Sequence, residues 1–206
     1  RVALSFDELP DAPGHRLRVA PPLLRPGLED RRARDDGYLL TYALNAGYGA
    51  EVADWQTRRR DVDVHCDLDG GGAALPGRAH DGAASPTEER RGFHPHDLDQ
   101  DAFLDHLAGC RAYVGSAGFE SLCEAHWMGK PVLAVPTEGQ FEQTLNAWDA
   151  ERCGVARAGG WNDLDSFWDG CDPPAPEAVT TFRRWVGRAP EMLVASVEET
   201  VHIRRG

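Results

Sequence analysis

Apolar segments of strand length alternate with amphipathic segments from Tyr38 onward, and this alternation predicts the fold. Continuous or alternating apolar positions predict five strands, which begin near Tyr38, Asp61, Gly92, Arg111 and Lys130. Apolar residues three or four positions apart predict helices at 50–60, 99–110, 119–128, 141–153, 176–188 and 190–203. Strands that alternate with helices of this length are typical of an α/β fold with an open, doubly wound, mainly parallel Rossmann-like sheet.

The first 37 residues follow another pattern. Arg1–Phe6 and Arg16–Ala20 predict two short strands, and the prolines of PPLLRP predict a stiff connector because proline fixes φ. We therefore predict that residues 1–37 are the tail of an N-terminal domain with an interdomain linker. Residues 38–206 are predicted to form a C-terminal domain with closing helices. Since the chain begins with Arg rather than Met, we expect it to be a piece of a longer protein.

Composition indicates which binding partners and which cellular compartment to expect. The 206 residues carry a formal net charge of −12, and 41% of them are hydrophobic. Nucleic-acid binding is not expected, because neutralising phosphates requires clustered Lys and Arg. No apolar run approaches the roughly 20 residues that span a bilayer, so no transmembrane segment is expected. Five cysteines without CxxC spacing predict free thiols in a reducing compartment, hence a cytoplasmic protein that is at most peripheral at the membrane.

A small-residue turn follows the fourth predicted strand and opens a helix. Ser116, Ala117 and Gly118 allow close approach to the backbone, and the first N–H groups of a helix have no internal partner. Such a helix start binds anions, to which the helix dipole adds about 0.3–1 kcal/mol. Two interpretations remain open: an anion site, or an ordinary helix start that Ser116 caps.

The helix after this turn carries two carboxylates, Glu120 and Glu124, four positions apart on a face that is not its apolar one. Like charges at this spacing are mildly unfavourable, which points to a use for at least one of them. The Glu124 carboxylate is placed to accept hydrogen bonds from both hydroxyls of a ribose, and a solvated carboxylate is the alternative.

Polar side chains crowd the start of the helix that follows the run KPVLAVP. Gln140, Gln143 and Asn146 lie there together with Glu138 and Glu142. Sugars present several hydroxyls, which carboxylate and amide groups satisfy. A capping cluster would explain the two glutamates, but it would not require the three amides. The segment therefore predicts a carbohydrate site.

These elements occur in a fixed order: the turn GSAGF, the spacing ExxxE, the run GKPVLAVP and the segment GQFEQxxNA. In this order they resemble the C-terminal donor-binding motif of GT-B glycosyltransferases. The branch that they resemble contains the bacterial peptidoglycan lipid-linked N-acetylglucosaminyltransferase. The resemblance extends from about Tyr38 to Ala158, and PPLLRP resembles the linker between the two domains of that fold.

The resemblance implies roles for individual residues. It implies diphosphate binding by Ser116, Ala117, Gly118 and Phe119, ribose binding by Glu124, sugar binding by Gln140, Glu142, Gln143 and Asn146, and base binding by Phe93 and His94. The chain departs from the family pattern where the loop around Gly70 to Gly92 replaces an expected helix, and where the first loop, NAGYG, is less rich in glycine.

The resemblance also implies an activity. It implies a hexosyltransferase that moves a sugar from a nucleoside-diphosphate-sugar, by family default a UDP-sugar, to an acceptor hydroxyl without a further cofactor. The catalytic base is expected in the N-terminal, acceptor-binding domain, so the sequence names no catalytic residue, and this part alone is expected to bind donor and transfer poorly. Two alternatives stay open: a non-hydrolysing nucleotide-sugar 2-epimerase that uses Glu120 and Glu142, and a non-catalytic nucleotide-sugar-binding module.

Three histidines near the predicted strands raise the question of a metal site. His94 and His96 stand in an HPH segment and His65 stands beside Cys66. Their spacing matches no closed zinc site, so the sequence predicts scattered loop histidines and no metal. Four tryptophans are predicted to pack in the core or between helices: Trp148, Trp161, Trp168 and Trp185.

Overall fold

The computed structural model describes residues 1–12, 14, 17–43, 46–68 and 92–203; for 46 and 199–203 it describes the backbone only. The strands are β1 Val2–Leu4, β2 Arg18–Ala20, β3 Tyr38–Ala43, β4 Asp63–Leu68, β5 Phe93–Asp97, β6 Ala112–Gly115, β7 Val132–Ala134 and β8 Arg157–Ala158. The helices are α1 Ala46–Arg58, α2 Gln100–Gly109, α3 Phe119–Trp127, α4 Phe141–Arg152, α5 Leu164–Gly170, α6 Pro176–Val186 and α7 Ala189–Ile203. The loop predicted at 69–91 lies outside the described residues.

Strands β3 to β8 form one parallel sheet in the order β5-β4-β3-β6-β7-β8. The chain starts in the middle at β3, runs outward to β5, and then crosses back to continue on the other side with β6. This is the doubly wound, Rossmann-like order, so the predicted fold class is confirmed. The reversal between β3 and β6 opens a crevice at the carboxyl ends of these two strands, where such sheets bind ligands.

The sheet is buried on both faces. Leu39 and Leu40 follow each other in β3, point to opposite faces and are both fully buried. Leu40 packs in a cluster with Tyr113 and with residues of α2 and α3, whereas Leu39 packs with residues of α1 and α5. Near-continuous apolar strands are expected where helices cover both faces, and they explain why the runs at β3 and β6 could be identified from sequence.

The N-terminal segment packs against the rest of the chain. Strands β1 and β2 pair in parallel, and Phe6 belongs to the same buried cluster as Phe182 of α6. The indole N–H of Trp185 donates to the backbone oxygen of Ser5 at 3.0 Å, and Arg188 forms an ion pair with Glu8. The two predicted strands are confirmed, and the division at residue 37 stays a prediction.

Three expectations about elements need correction. Helix α1 begins at Ala46, so most of NAGYG lies in its first turn rather than in a ligand-facing loop. The strand predicted to begin near Gly92 is confirmed as β5, but it includes His94 and His96, which were expected to be loop residues. Strand β8 and helix α5 follow where no element was predicted. Among the described helices, none has the length and apolar character needed to cross a bilayer.

Candidate functional site

The turn between β6 and α3 leaves a helix start without a side-chain cap. Gly118 is the N-cap residue of α3, and no side chain accepts from the first turn, so the interpretation of Ser116 as an ordinary cap is wrong. Ser116 and Ala117 are buried, and the Gly118 N–H donates to the Ser116 oxygen at 2.6 Å, which folds the turn tightly. The N–H groups of the first helical turn therefore keep their capacity to bind an anion.

The close packing of this turn explains one small residue. A Cβ atom on Gly115 would overlap the hydroxyl of Tyr113, which is fully buried two residues earlier in the same strand. A side chain at this strand end would therefore require the buried Tyr113 ring to move. The absence of a side chain at the start of the predicted small-residue turn is thus explained by packing against Tyr113, and the turn lies at the carboxyl edge of the sheet.

Glu124 lies one and a half turns into α3 and is fully buried. Its carboxylate pairs with Arg25 of the PPLLRP segment: Nε and the backbone N–H of Arg25 donate to Oε1 at 2.9 and 3.1 Å, and Nη2 lies 2.9 Å from Oε2. Burial raises the pKa of the Glu124 carboxyl, and the Arg25 charge and its hydrogen bonds oppose this rise. The solvated-carboxylate alternative is wrong for Glu124, whereas Glu120 is exposed.

A cleft of about 700 Å³ opens beside this ion pair at the carboxyl edge of the sheet. It is surrounded by the end of β3, the residue after β5, the starts of α2 and α3, and the PPLLRP segment. Its lining includes Leu23, Leu24, Arg25, Pro26, Tyr42, Leu98, Gln100, Phe103, Gly118, Glu120 and Ser121. The Arg25 guanidinium lies 4.5 Å from the centre of the Phe103 ring, so it packs against this ring within the lining of the cleft.

The four predicted sugar-binding residues lie at the start of α4, and two of them hold the backbone. Gln143 Oε1 accepts from the Thr137 N–H at 2.8 Å, and Asn146 Nδ2 donates to the Ala117 oxygen at 3.0 Å. Asn146 thereby ties α4 to the turn before α3. Gln140 and Glu142 are exposed at the same edge of the sheet.

The structure does not bring the two predicted base-binding residues to this cleft. Phe93 and His94 are the first two residues of β5, so they lie at the amino end of the strand. His94 Nε2 contacts Asp63 Oδ1 at 2.7 Å, and Asp63 is the first residue of β4. Leu98, which follows β5, is the residue of this segment that lines the cleft, whereas base binding by Phe93 and His94 stays a prediction.

Four histidines converge on the face of β4 and β5 that α2 covers: His65, His94, His96 and His106. Burial and, to a smaller extent, the neighbouring histidines lower the pKa of His65 to about 4. Burial also lowers the pKa of His96, so both rings are neutral at pH 7. The prediction of scattered loop histidines is wrong, because strand pairing places them side by side.

Sequence reasoning missed the residues that reach the cleft from distant segments. Arg25 is separated from Glu124 by 99 positions, and Tyr42 and Gln100 lie at element ends that periodicity does not mark. The available signal for Arg25 was a single basic residue within the proline-rich PPLLRP segment. The sequence offered no comparable signal for Gln100.

A family profile described as Glycosyl transferase family 1 matches residues 2–167. Among solved structures, Acinetobacter baumannii MurG is similar with a TM-score of 0.58 and 14% identity over 97% of this chain and 60% of that protein. The glycotransferase of kitacinnamycin is similar with a TM-score of 0.56 and 17% identity over 89% of this chain and 50% of that protein. Arabidopsis thaliana UGT89C1, solved with UDP-L-rhamnose, has a TM-score of 0.54 and 17% identity over 91% of this chain and 51% of that protein.

These likenesses confirm the fold, which is that of GT-B glycosyltransferases. The chain spans about half the length of the kitacinnamycin glycotransferase and of UGT89C1. No curated protein sequence matches it significantly.

Proposed function

This chain belongs to glycosyl transferase family 1, and we propose that it is the C-terminal, donor-binding half of a GT-B glycosyltransferase. In this proposal the protein transfers a sugar from a nucleoside-diphosphate-sugar to an acceptor hydroxyl. The observation that carries it is the uncapped start of α3, which opens into a cleft of about 700 Å³ where the strand order reverses. That position and that chemistry suit a pyrophosphate.

The turn Ser116–Phe119 is proposed to hold the diphosphate through backbone N–H groups. Gly118 has no side chain to fill the space in front of these donors, and the nearest atom to a Cβ built there is Ser121 Oγ at 3.5 Å. When the sugar leaves, negative charge grows on the diphosphate, and fixed N–H donors stabilise that charge without reorganising. The helix start therefore favours the leaving group rather than the intact donor.

Ribose binding by Glu124 is proposed to require an exchange with Arg25. The carboxylate is fully buried under Arg25, so ribose hydroxyls reach it only when the guanidinium moves. Arg25 lines the same cleft as Gly118, and its side chain is 30% exposed. In this proposal the guanidinium passes from Glu124 to the diphosphate, with which it forms charge-assisted hydrogen bonds of the same kind, while the ribose hydroxyls take its place on Glu124.

The sugar is proposed to lie at the start of α4. Gln140 and Glu142 are exposed there and offer hydrogen bonds to its hydroxyls. Gln143 and Asn146 complete the predicted set. Gln143 holds the backbone at Thr137, and Asn146 holds the start of α4 beside Ala117 in the proposed diphosphate turn. A UDP-sugar is the proposed donor class, and a hexose is the proposed sugar.

The acceptor and the catalytic base are proposed to belong to another domain that faces α4. Phe141, Leu145 and Trp148 form an apolar stripe on this helix and are 81%, 50% and 59% exposed. Trp148 was predicted to pack in the core or between helices, and its exposure shows that it does neither within the described residues. Exposed apolar stripes of this kind mark interaction surfaces, which supports an N-terminal domain closing over the donor.

A thermal-shift panel with UDP, GDP and TDP and their sugars tests this proposal. A ligand at 100 times its dissociation constant adds about 2.7 kcal/mol to the free energy of unfolding, so binding is visible as a clear rise in melting temperature. We expect a rise with at least one nucleoside diphosphate, whereas no rise with any of them contradicts the proposal. Incubation with UDP-N-acetylglucosamine alone distinguishes the epimerase alternative, which predicts a second sugar in the NMR spectrum without acceptor.

A further inference from the structure

The paired strands β4 and β5 present a row of metal-binding side chains on one face of the sheet. The register sets His65 beside His94 and Asp67 beside His96, and alternate residues of a strand point to the same face. His106, in the last turn of α2, lies against this row, with its ring centre 4.4 Å from that of His96. Four of the eight histidines of the chain thus lie next to one another, between one face of the sheet and helix α2.

Three of these rings have the geometry of a ligand set. One ligand atom from each of His65, His96 and His106 lies within 4.8 Å of the others. His96 Nε2 lies 3.0 Å from His65 Nδ1. In a tetrahedral site with Zn–N bonds of about 2.0–2.1 Å, two ligand nitrogens are about 3.3 Å apart, so small rotations of these rings enclose an ion.

Asp67 is positioned to orient one of these ligands, His106, through a hydrogen bond. Its carboxylate is fully buried, and His106 Nδ1 lies 3.1 Å from its Oδ2. A carboxylate that accepts from one ring nitrogen of a histidine directs the other nitrogen to a metal. A positive ion behind His106 would also compensate the buried negative charge, which is otherwise costly.

We propose that His65, His96 and His106 bind a divalent transition-metal ion, with Asp67 as the residue that orients His106. Imidazole nitrogen suits zinc, and the partial exposure of all three rings leaves a fourth position for water. The ion would join strand β5 to β4 and to α2, so its binding should stabilise the contact between these three elements. This inference is independent of sugar transfer, because none of the three ligands lines the donor cleft.

Zinc titration of the complete chain tests the inference. The protein is purified without a polyhistidine tag, stripped with a chelator, and titrated with Zn²⁺ in competition with a chromophoric chelator. We expect one equivalent of zinc for the wild type and a higher melting temperature in its presence. His96→Gln and His106→Gln should lose this equivalent, and Asp67→Asn should weaken binding about 10–100-fold.

The matched control is His94→Gln, on the same strand and face but outside the set of three. It should bind zinc as the wild type does. Co²⁺ in place of zinc should give the visible absorption of a tetrahedral site, and His106→Gln should abolish it. Absence of stoichiometric zinc in the wild type overturns the inference. So does wild-type affinity in both His96→Gln and His106→Gln, or loss of zinc in a His94→Gln variant with an unchanged far-UV circular dichroism spectrum.

Discussion

Arg25 holds Glu124 with two side-chain contacts of 2.9 Å and one backbone hydrogen bond, across 99 positions of sequence. A carboxylate that is fully buried in α3 is thus neutralised by the segment that connects β2 to the sheet. The pair fastens this connector to the helix that begins at the candidate diphosphate site. It links the stability of the fold to donor binding.

Removing one partner of this pair should destabilise the protein. Arg25→Ala leaves the Glu124 carboxylate buried and uncompensated, so the free energy of unfolding should fall by about 3 kcal/mol. Glu124→Gln in the Arg25→Ala background should recover most of this loss because it removes the buried charge. Urea unfolding of the single and double variants measures both effects. Equal stability of Arg25→Ala and the wild type would show that water already compensates the carboxylate.

The same carboxylate should be required for nucleotide binding. Glu124→Gln keeps the shape but weakens the acceptor for ribose hydroxyls, so affinity for every nucleoside diphosphate should fall by at least about tenfold, which corresponds to 1.4 kcal/mol. Glu120→Gln is the matched control, one turn earlier on α3 and exposed. Isothermal titration calorimetry compares the two. A larger loss for Glu120→Gln would instead favour the epimerase alternative.

Side chains at the start of α4 should distinguish donors from plain nucleotides. Glu142→Gln is expected to weaken binding of nucleotide-sugars by about 1–2 kcal/mol, since a charge-assisted hydrogen bond to a sugar hydroxyl is lost. Affinity for the nucleoside diphosphate should not change. Leu145, one turn further on the same helix and 50% exposed, provides the control variant Leu145→Gln. An equal loss for sugar-bearing and sugar-free ligands would place the sugar elsewhere.

Buried His126 should make stability depend on pH. Burial, with a smaller contribution from the nearby Arg183 charge, lowers the pKa of His126 to about 4, so the folded protein keeps the ring neutral where the unfolded chain protonates it. Unfolding becomes easier as pH falls from about 6.5 to 4, and between pH 7 and 5 this group should remove about 2 kcal/mol.

His126→Leu should make this decrease smaller by the same amount, because leucine does not titrate and packs against Phe182. Urea unfolding at both pH values provides the measurement. His65 acts in the same direction, so part of the dependence should remain in the variant. An unchanged pH dependence would mean that His126 is protonated in the folded state.

The strands and most helices could be predicted because their signals are local. The apolar runs at β3 and β6 and the stripe of α3 contain the information that positions them. The start of α1 was placed too late because Gly47 and Gly49 are poor helix formers, and packing of Trp55 against the sheet overrides this local preference.

The candidate site was predicted only where its residues are neighbours in sequence. The turn before α3 was recognised, whereas the partner of Glu124 depends on how a distant segment folds back. The histidines show the same limit. His94 and His96 alternate in one strand, but only the pairing of β5 with β4 sets them beside His65 and Asp67.

Nucleotide binding by Gly118 variants tests the central claim most directly. Gly118 has φ −70°, so Asp and Ala both fit its backbone, and an Asp side chain at this N-cap accepts from the N–H groups that are proposed to hold the diphosphate. Gly118→Asp should therefore be at least as stable as the wild type but fail to bind UDP in isothermal titration calorimetry. Gly118→Ala, which adds no acceptor and no charge, should still bind. Equal UDP affinity in Gly118→Asp and the wild type would contradict a diphosphate site at the start of α3.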